Sequence, residues 1–242
     1  MENIYLFDVD GTLTEPRQPM KKDFADLFRY LVRNHTVYLV SGSDLAKLKE
    51  QVPQDILSDC HGVFSSSANQ LDIGDELIYK NELEVPEELM VFLKRFLEKS
   101  DYRIKTGNHL EHRPGMINFS VVGRNASQEE REEYYKWDQY SLERKKLVVT
   151  LMAHFPGIDA KIGGEISIDI YPDGCDKRQS VGYLRERHPT GKICFFGDKT
   201  GEDGNDYSVV ISLNKSDNVH SVTDYLQTQD IISDYLRRKT FG

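Results

Sequence analysis

The chain has 242 residues, a formal net charge of −9, and 38% hydrophobic against 29% charged residues. That balance fits a soluble globular protein able to bury a sizeable core, and it argues against nucleic acid as a partner, since a polyanion binder is ordinarily basic. Three cysteines, Cys60, Cys175 and Cys194, match neither a zinc site nor a disulfide framework, so free thiols in a reducing cytoplasm are expected. No apolar run approaches the ~18 residues of a membrane span, and Asp8 and Asp10 interrupt the first apolar stretch, which argues against a signal peptide.

The first element is a short apolar run, Asn3–Asp8, that reads as a buried strand. Met20–Asn34 spaces Phe24, Leu27, Phe28, Leu31 and Val32 as one helical face. Thr36–Val40 is a second buried strand, ending at Ser41, and Ser43 is the expected N-cap of a helix reaching about Val52. Leu71–Lys80 reads as a hairpin turning near Gly74 and Asp75. The middle of the chain changes character. It holds a helix over Pro86–Lys99, an alternating strand over Met116–Val122, a charged helix capped by Ser127, a further helix over Ser141–Phe155, and a hairpin ending near Pro172. From Lys177 a helix–strand alternation resumes, with Lys192–Asp198 and Val209–Leu213 as expected strands. The fold class is therefore α/β, a doubly wound parallel sheet formed by residues 1–80 and 175–242, with an α+β domain, residues 81–174, inserted between.

In such a sheet, ligands bind beyond the carboxyl ends of the strands. Three expected strands end there in polar groups: Asp8 with Asp10, Ser41, and Asp198 within "FFGDKTGEDGND", which also carries Asp206. If the strands are neighbours, the carboxylates converge and repel unless a cation joins them; oxygen ligands without histidine favour Mg²⁺. A carboxylate beside such a cation can be the nucleophile toward a phosphoryl group. Asp8 suits that role, Asp10 that of general acid/base, and Gly11 a sharp turn after the strand. Lys177, at a helix start, adds a cation to hold a phosphoaspartate. Taken alone, the "DxDGT" run could equally be a calcium-type loop or a set of Asx turns.

This constellation of Asp8, Asp10, Ser41, Lys177, Asp198 and Asp206 resembles the haloacid dehalogenase superfamily of phosphoryl-transfer enzymes. Over nearly the whole chain, and most in "DVDGTLTEPRQ", "HRPGMINFSVVGRNASQEER", "GGEISIDIYPDGCDKR" and "FFGDKTGEDGND", it resembles the eukaryotic-type phosphomannomutases. The resemblance implies interconversion of mannose 6-phosphate and mannose 1-phosphate, Mg²⁺ as cofactor with Asp8, Asp10, Asp198 and Asp206 at the metal, a hexose 1,6-bisphosphate as activator, and a homodimer joined through the inserted domain. It makes Asp8, Asp10, Ser41 and Lys177 catalytic. It assigns the sugar phosphate to Arg17, Arg113, Arg124 and Arg131, and sugar hydroxyls to Ser167 and Asp169. The residues agree in kind: three arginines within 19 residues of an acidic chain suit phosphate oxygens bidentately, and Ser167 and Asp169 share one strand face. Ion pairing with Glu129, Glu130, Glu132 and Glu133 is the competing reading of Arg131. The chain departs from the family at Ser41 (usually glycine), at "FSSSANQL" (Phe64–Leu71), and after Asp206. A sugar-phosphate phosphatase on the same scaffold is the alternative activity, and a non-catalytic interaction protein a third reading.

Overall fold

The computed structural model describes residues 2–240. The chain divides into two compact units, Met1–Lys80 with Asp176–Gly242, and Asn81–Cys175. The first is α/β. In chain order it holds β1 (Asn3–Asp8), α1 (Lys22–Asn34), β2 (Thr36–Val40), α2 (Leu45–Gln51), α3 (Gln54–Asp59), β3 (Gly62–Ser65), β4 (Gln70–Ile73) and β5 (Glu76–Lys80). The second contributes α4 (Glu87–Lys99), β6 (Leu110–Arg113), β7 (Met116–Phe119), α5 (Gln128–Ser141), α6 (Glu143–His154), β8 (Ile158–Gly163) and β9 (Ser167–Pro172). The first unit then closes with α7 (Arg178–Arg187), β10 (Lys192–Gly197), α8 (Tyr207–Ser212), β11 (Asn218–Ser221) and α9 (Tyr225–Thr240).

The large sheet runs β11-β10-β1-β2-β3-β4-β5, with β1 parallel to both β10 and β2. Alternation along a strand sends successive side chains to opposite faces, and both faces are covered. Tyr5 and Phe7 join Phe24, Phe28 and Leu31 of α1 in one core; Ile4 and Leu6 join Val181, Leu184 and Val209 in the other. Burial on both faces explains why β1, β2 and β10 read as continuous apolar runs. The antiparallel β3-β4-β5 edge turns at Gly74, as the hairpin reading expects.

Two expectations are corrected in this unit. Val209–Leu213 is not a strand: residues 207–212 form α8, which buries Val209 and exposes Ile211. A five-residue apolar run has no period of its own, and its single apolar face packs on the second core. The strand beside β10 is β11, a short polar edge. The cap of α2 is Asp44, whose carboxylate accepts from the Lys47 N–H, rather than Ser43.

In the second unit an antiparallel sheet, β6-β7-β9-β8, is apolar on one face. Ile117, Phe119, Ile168 and Ile170 pack against Leu89, Leu93, Tyr134, Leu147 and Leu151 from α4, α5 and α6. Ser127 caps α5 in a reciprocal box with Glu130. α5 ends at Leu142, in the left-handed conformation, and α6 starts there; the buried Asp138–Arg144 ion pair, 2.8 Å, braces the junction. Among the described residues no helix is long and apolar enough to cross a membrane.

Candidate active site

The parallel register aligns the carboxyl ends of β10, β1 and β2, so Asp198, Asp8 and Ser41 emerge at one edge of the sheet. Lys177, just before α7, joins them: its Nζ donates to Asp8 Oδ1 at 2.6 Å and to Asp206 Oδ1 at 2.7 Å. Oxygens of Asp8, Asp198 and Asp206 lie within 4.8 Å of one another. Two glycines make room. A Cβ on Gly11 (φ +86°) would meet Asp198 Oδ2 at 2.5 Å, and one on Gly197 would meet Asp206 Oδ2 at 2.6 Å. Gly11 also needs its left-handed φ for the turn in which Leu13 and Thr14 donate to the Val9 carbonyl.

The cluster is electrostatically unbalanced. Burial holds the Asp8 carboxyl well above the usual carboxylate range; Lys177 pulls it back, while Asp206 and Asp198 push it further up. Asp198 is raised by burial and by Asp206, against the pull of Lys199. Burial works to lower Lys177, but Asp206 and Asp8 outweigh it, so its ammonium is held charged. The one buried lysine against three carboxylates leaves a formal excess of two negative charges, which the partly exposed Lys199, 3.9 Å from Asp198, offsets only in part. Hard oxygen donors, close spacing and that excess fit a divalent cation of the Mg²⁺ type.

The side chain of Asp10 lies outside this trio of oxygens. Its Oδ1 accepts from the Arg17 backbone N–H at 2.9 Å and from Gln51 Nε2 at 2.8 Å, and its Oδ2 accepts from Ser43 Oγ at 3.2 Å. Those donors aim the side chain toward α2. Ser41 is buried, and its hydroxyl accepts from the Ser43 N–H at 3.0 Å. Arg17 is exposed with a left-handed backbone. The "FSSSANQL" loop lies against this edge: Ser66 and Ser67 donate their N–H groups to Ser43 and Ser41, and Ser66, Ser67 and Ala68 all adopt positive φ.

The remaining candidates belong to the second unit. Arg113 on β6 and Arg124 after β7 meet on one carboxylate oxygen of Glu111. Arg131 is buried in α5, and Glu130 is engaged in the helix cap and with Thr106. On β9, Ser167 Oγ donates to the Gly163 carbonyl at 2.8 Å, and Asp169 accepts from Asn118 Nδ2 at 2.6 Å. Gln51, Glu111 and Asn118 escaped the sequence reading. A signal existed for two of them: Gln51 is a polar residue in the buried stripe with Leu48, and Glu111 sits at i−2 to Arg113 on one strand.

A family model described as eukaryotic phosphomannomutase matches residues 24–238. A phosphomannomutase of Dendrobium officinale is 40% identical over 214 residues, 85% of this chain and 84% of that protein. One of Encephalitozoon cuniculi is 36% identical over 223 residues, 86% and 84% of the two. Among solved structures, the IMP-bound IMP-nucleotidase of Plasmodium falciparum covers 98% of this chain and 68% of its own, with a TM-score of 0.64 at 13% identity. The C-terminal domain of C. albicans trehalose-6-phosphate phosphatase covers 96% and 91%, with a TM-score of 0.63 at 16% identity. At those identities the likeness is one of fold. The α/β class with a parallel-rich sheet is thus the fold this chain shares with them, and it carries its carboxylates and lysine at one edge. Within that class, the chain belongs to the eukaryotic phosphomannomutase family.

Proposed function

We propose that this protein interconverts mannose 6-phosphate and mannose 1-phosphate through a phosphorylated Asp8 and a hexose 1,6-bisphosphate. The observation that carries the chemistry is the division of labour between two aspartates two residues apart. Asp8 touches a buried ammonium at 2.6 Å; Asp10 is held separately by Arg17, Ser43 and Gln51. Different surroundings give two carboxylates different work. An Asp8 oxygen attacks phosphorus, the phosphorus–oxygen bond to the sugar breaks, and Asp10 protonates the departing hydroxyl; in the second half Asp10 takes the proton from the entering hydroxyl. Lys177 holds the phosphorylated Asp8. Asp8, Asp198 and Asp206 are the residues to hold Mg²⁺, which would neutralise charge as the phosphate dianion approaches.

A mutase must also bind the sugar's other phosphate. Arg113, Arg124 and Arg131 serve that purpose, with Arg17, and Ser167 and Asp169 take the sugar hydroxyls. The names of the relatives favour this reading over the phosphatase alternative. The protein works as a homodimer joined through the second unit, whose α5 and α6 expose Tyr135, Tyr140, Val149 and Met152. It resides in the cytoplasm, in keeping with its free cysteines. The test is a coupled assay for mannose 1-phosphate formation from mannose 6-phosphate, with and without the bisphosphate, beside a free-phosphate assay. Isomer formed faster than phosphate, and abolished by chelation, is expected. Phosphate release with no isomer replaces the mutase by the phosphatase.

A further inference from the structure

The polar face of the smaller sheet carries a carboxylate with no part in the chemistry above. Glu111 and Arg113 are two residues apart on β6, so their side chains leave the sheet on the same side. Glu111 Oε2 accepts from Arg113 Nε at 3.1 Å and from Arg113 Nη2 at 2.5 Å, and it lies 3.3 Å from Arg124 Nε. Arg124 arrives from the turn after β7, so guanidiniums from two separate segments converge on one oxygen. Their side chains are only 4% and 9% exposed, and that of Glu111 21%.

Two nearly buried cations this close repel each other unless an anion stands between them. A guanidinium also grips phosphate through a flat fork, so its orientation decides how well it binds. Glu111 meets both requirements: it takes the Nε edge of the Arg113 fork in two hydrogen bonds, fixing its plane, and stands as the counter-charge 3.3 Å from Arg124 Nε, drawing that second fork toward the first. Building on the reading of Arg113 and Arg124 as phosphate-binding residues, we infer that Glu111 is a positioning residue for substrate: its carboxylate holds the two guanidiniums in the orientation that receives the phosphate of a hexose monophosphate. The competing account makes Glu111 a brace for an edge strand, since among the described residues β6 pairs with β7 alone. A brace changes stability and leaves ligand affinity alone once the protein is folded.

The experiment uses the full chain with Mg²⁺, as wild type, Glu111→Ala and Glu111→Gln. The glutamine keeps the shape and an acceptor oxygen but removes the charge. Three quantities are measured: calorimetric affinity for mannose 6-phosphate, KM and kcat for isomerisation, and phosphorylation of Asp8 by acetyl phosphate, a donor with no sugar. A lost charge-assisted arrangement predicts that Glu111→Ala weakens mannose 6-phosphate binding about 10-fold or more and raises KM in step. Glu111→Gln should fall between it and wild type, and phosphorylation by acetyl phosphate should stay within about two-fold for both. Near-UV circular dichroism verifies folding, and if Glu111→Ala is misfolded, Glu111→Gln decides, with about a three-fold loss expected. Folded variants that bind mannose 6-phosphate like wild type, or that lose acetyl phosphate reactivity in parallel with affinity, overturn the inference. So does a wild type that binds no mannose 6-phosphate. A wild type that binds mannose 6-phosphate yet yields no isomer overturns the mutase reading instead, and the affinity comparison still decides the role of Glu111.

Discussion

Replacing Asp198 by asparagine should stabilise the metal-free protein and make it indifferent to Mg²⁺. The carboxylate oxygens of Asp8, Asp198 and Asp206 lie within 4.8 Å of one another. At that separation and an effective dielectric constant of about 20, each like-charge pair costs about 3.5 kcal/mol. Asp198 enters two such pairs, a gross cost of about 7 kcal/mol. Lys177, bonded to both of the other carboxylates and pulling the Asp198 carboxyl down, returns about 3 kcal/mol if it stands slightly farther off than they do. Lys199, 3.9 Å from Asp198 Oδ2 but one-third exposed, returns about 2 kcal/mol after solvent screening. The balance is a penalty of about 2 kcal/mol that asparagine, equal in shape and uncharged, removes. For a chain of this size that corresponds to a rise in Tm of about 4–8 °C in excess chelator. Saturating Mg²⁺ should reverse the order, because wild type gains binding free energy that the variant cannot. The assay is a thermal melt followed by circular dichroism, on both proteins, in chelator and in Mg²⁺. A variant that melts below wild type in chelator, or gains as much from Mg²⁺, would refute the claim that unbalanced charge at this edge is what a cation relieves.

Four further outcomes are expected. The advantage of Asp198→Asn in chelator should depend on pH: the raised carboxyl of Asp198 favours folding of wild type fully below the ordinary carboxylate range and progressively loses that effect as pH rises through its raised value. The gap in Tm should therefore be small in acid and widen upward; a gap constant from pH 3 to 8, a range spanning the ordinary ~3.9 value, contradicts this. Asp8→Asn should abolish covalent phosphorylation by acetyl phosphate, read by intact mass. Asp10→Asn should leave substrate affinity near wild type and slow turnover by ~10²–10⁴. Gly11→Ala should lower stability by more than about 1–2 kcal/mol, the ordinary strain of a left-handed alanine, because its Cβ also meets Asp198. A denaturant titration showing a smaller loss, with Mg²⁺ affinity unchanged, would remove that contact from the account.

Much of the architecture was legible because the decisive signals are local. β1, β2 and β10 announce themselves as apolar runs, since burial on both faces leaves no polar alternation to confuse with a helix edge. Ser127 and Glu130 mark the start of α5 through a pairing three residues apart. Where the signal is weak the reading fails: α8 is too short to display a period, and β11 is a polar edge strand with no apolar face to find. In the site, Asp8 and Asp198 were readable as strand-end carboxylates and Asp206 as part of the motif after Asp198, but the geometry of Asp10 was not. Its direction depends on Gln51 and Ser43, which come from α2 and from the loop before it. Glu111 was hidden for a different reason. A glutamate in a charged chain is unremarkable until the fold brings Arg124 to it.

The strand order has a consequence for synthesis. β1 is made before the other strands of its sheet, yet one of its two neighbours, β10, is made some 190 residues later, and Lys177 and Asp8 are 169 residues apart. The segment Asn81–Cys175, by contrast, finds its sheet partners and its core within itself. Domains fold as units while the chain grows. The inserted segment can therefore mature while the surrounding core is still waiting for its central strand to be flanked. The surroundings of Asp8 are thus incomplete in every nascent form that lacks residues 177–206: the ammonium and the two carboxylates that surround it are all made after the inserted segment.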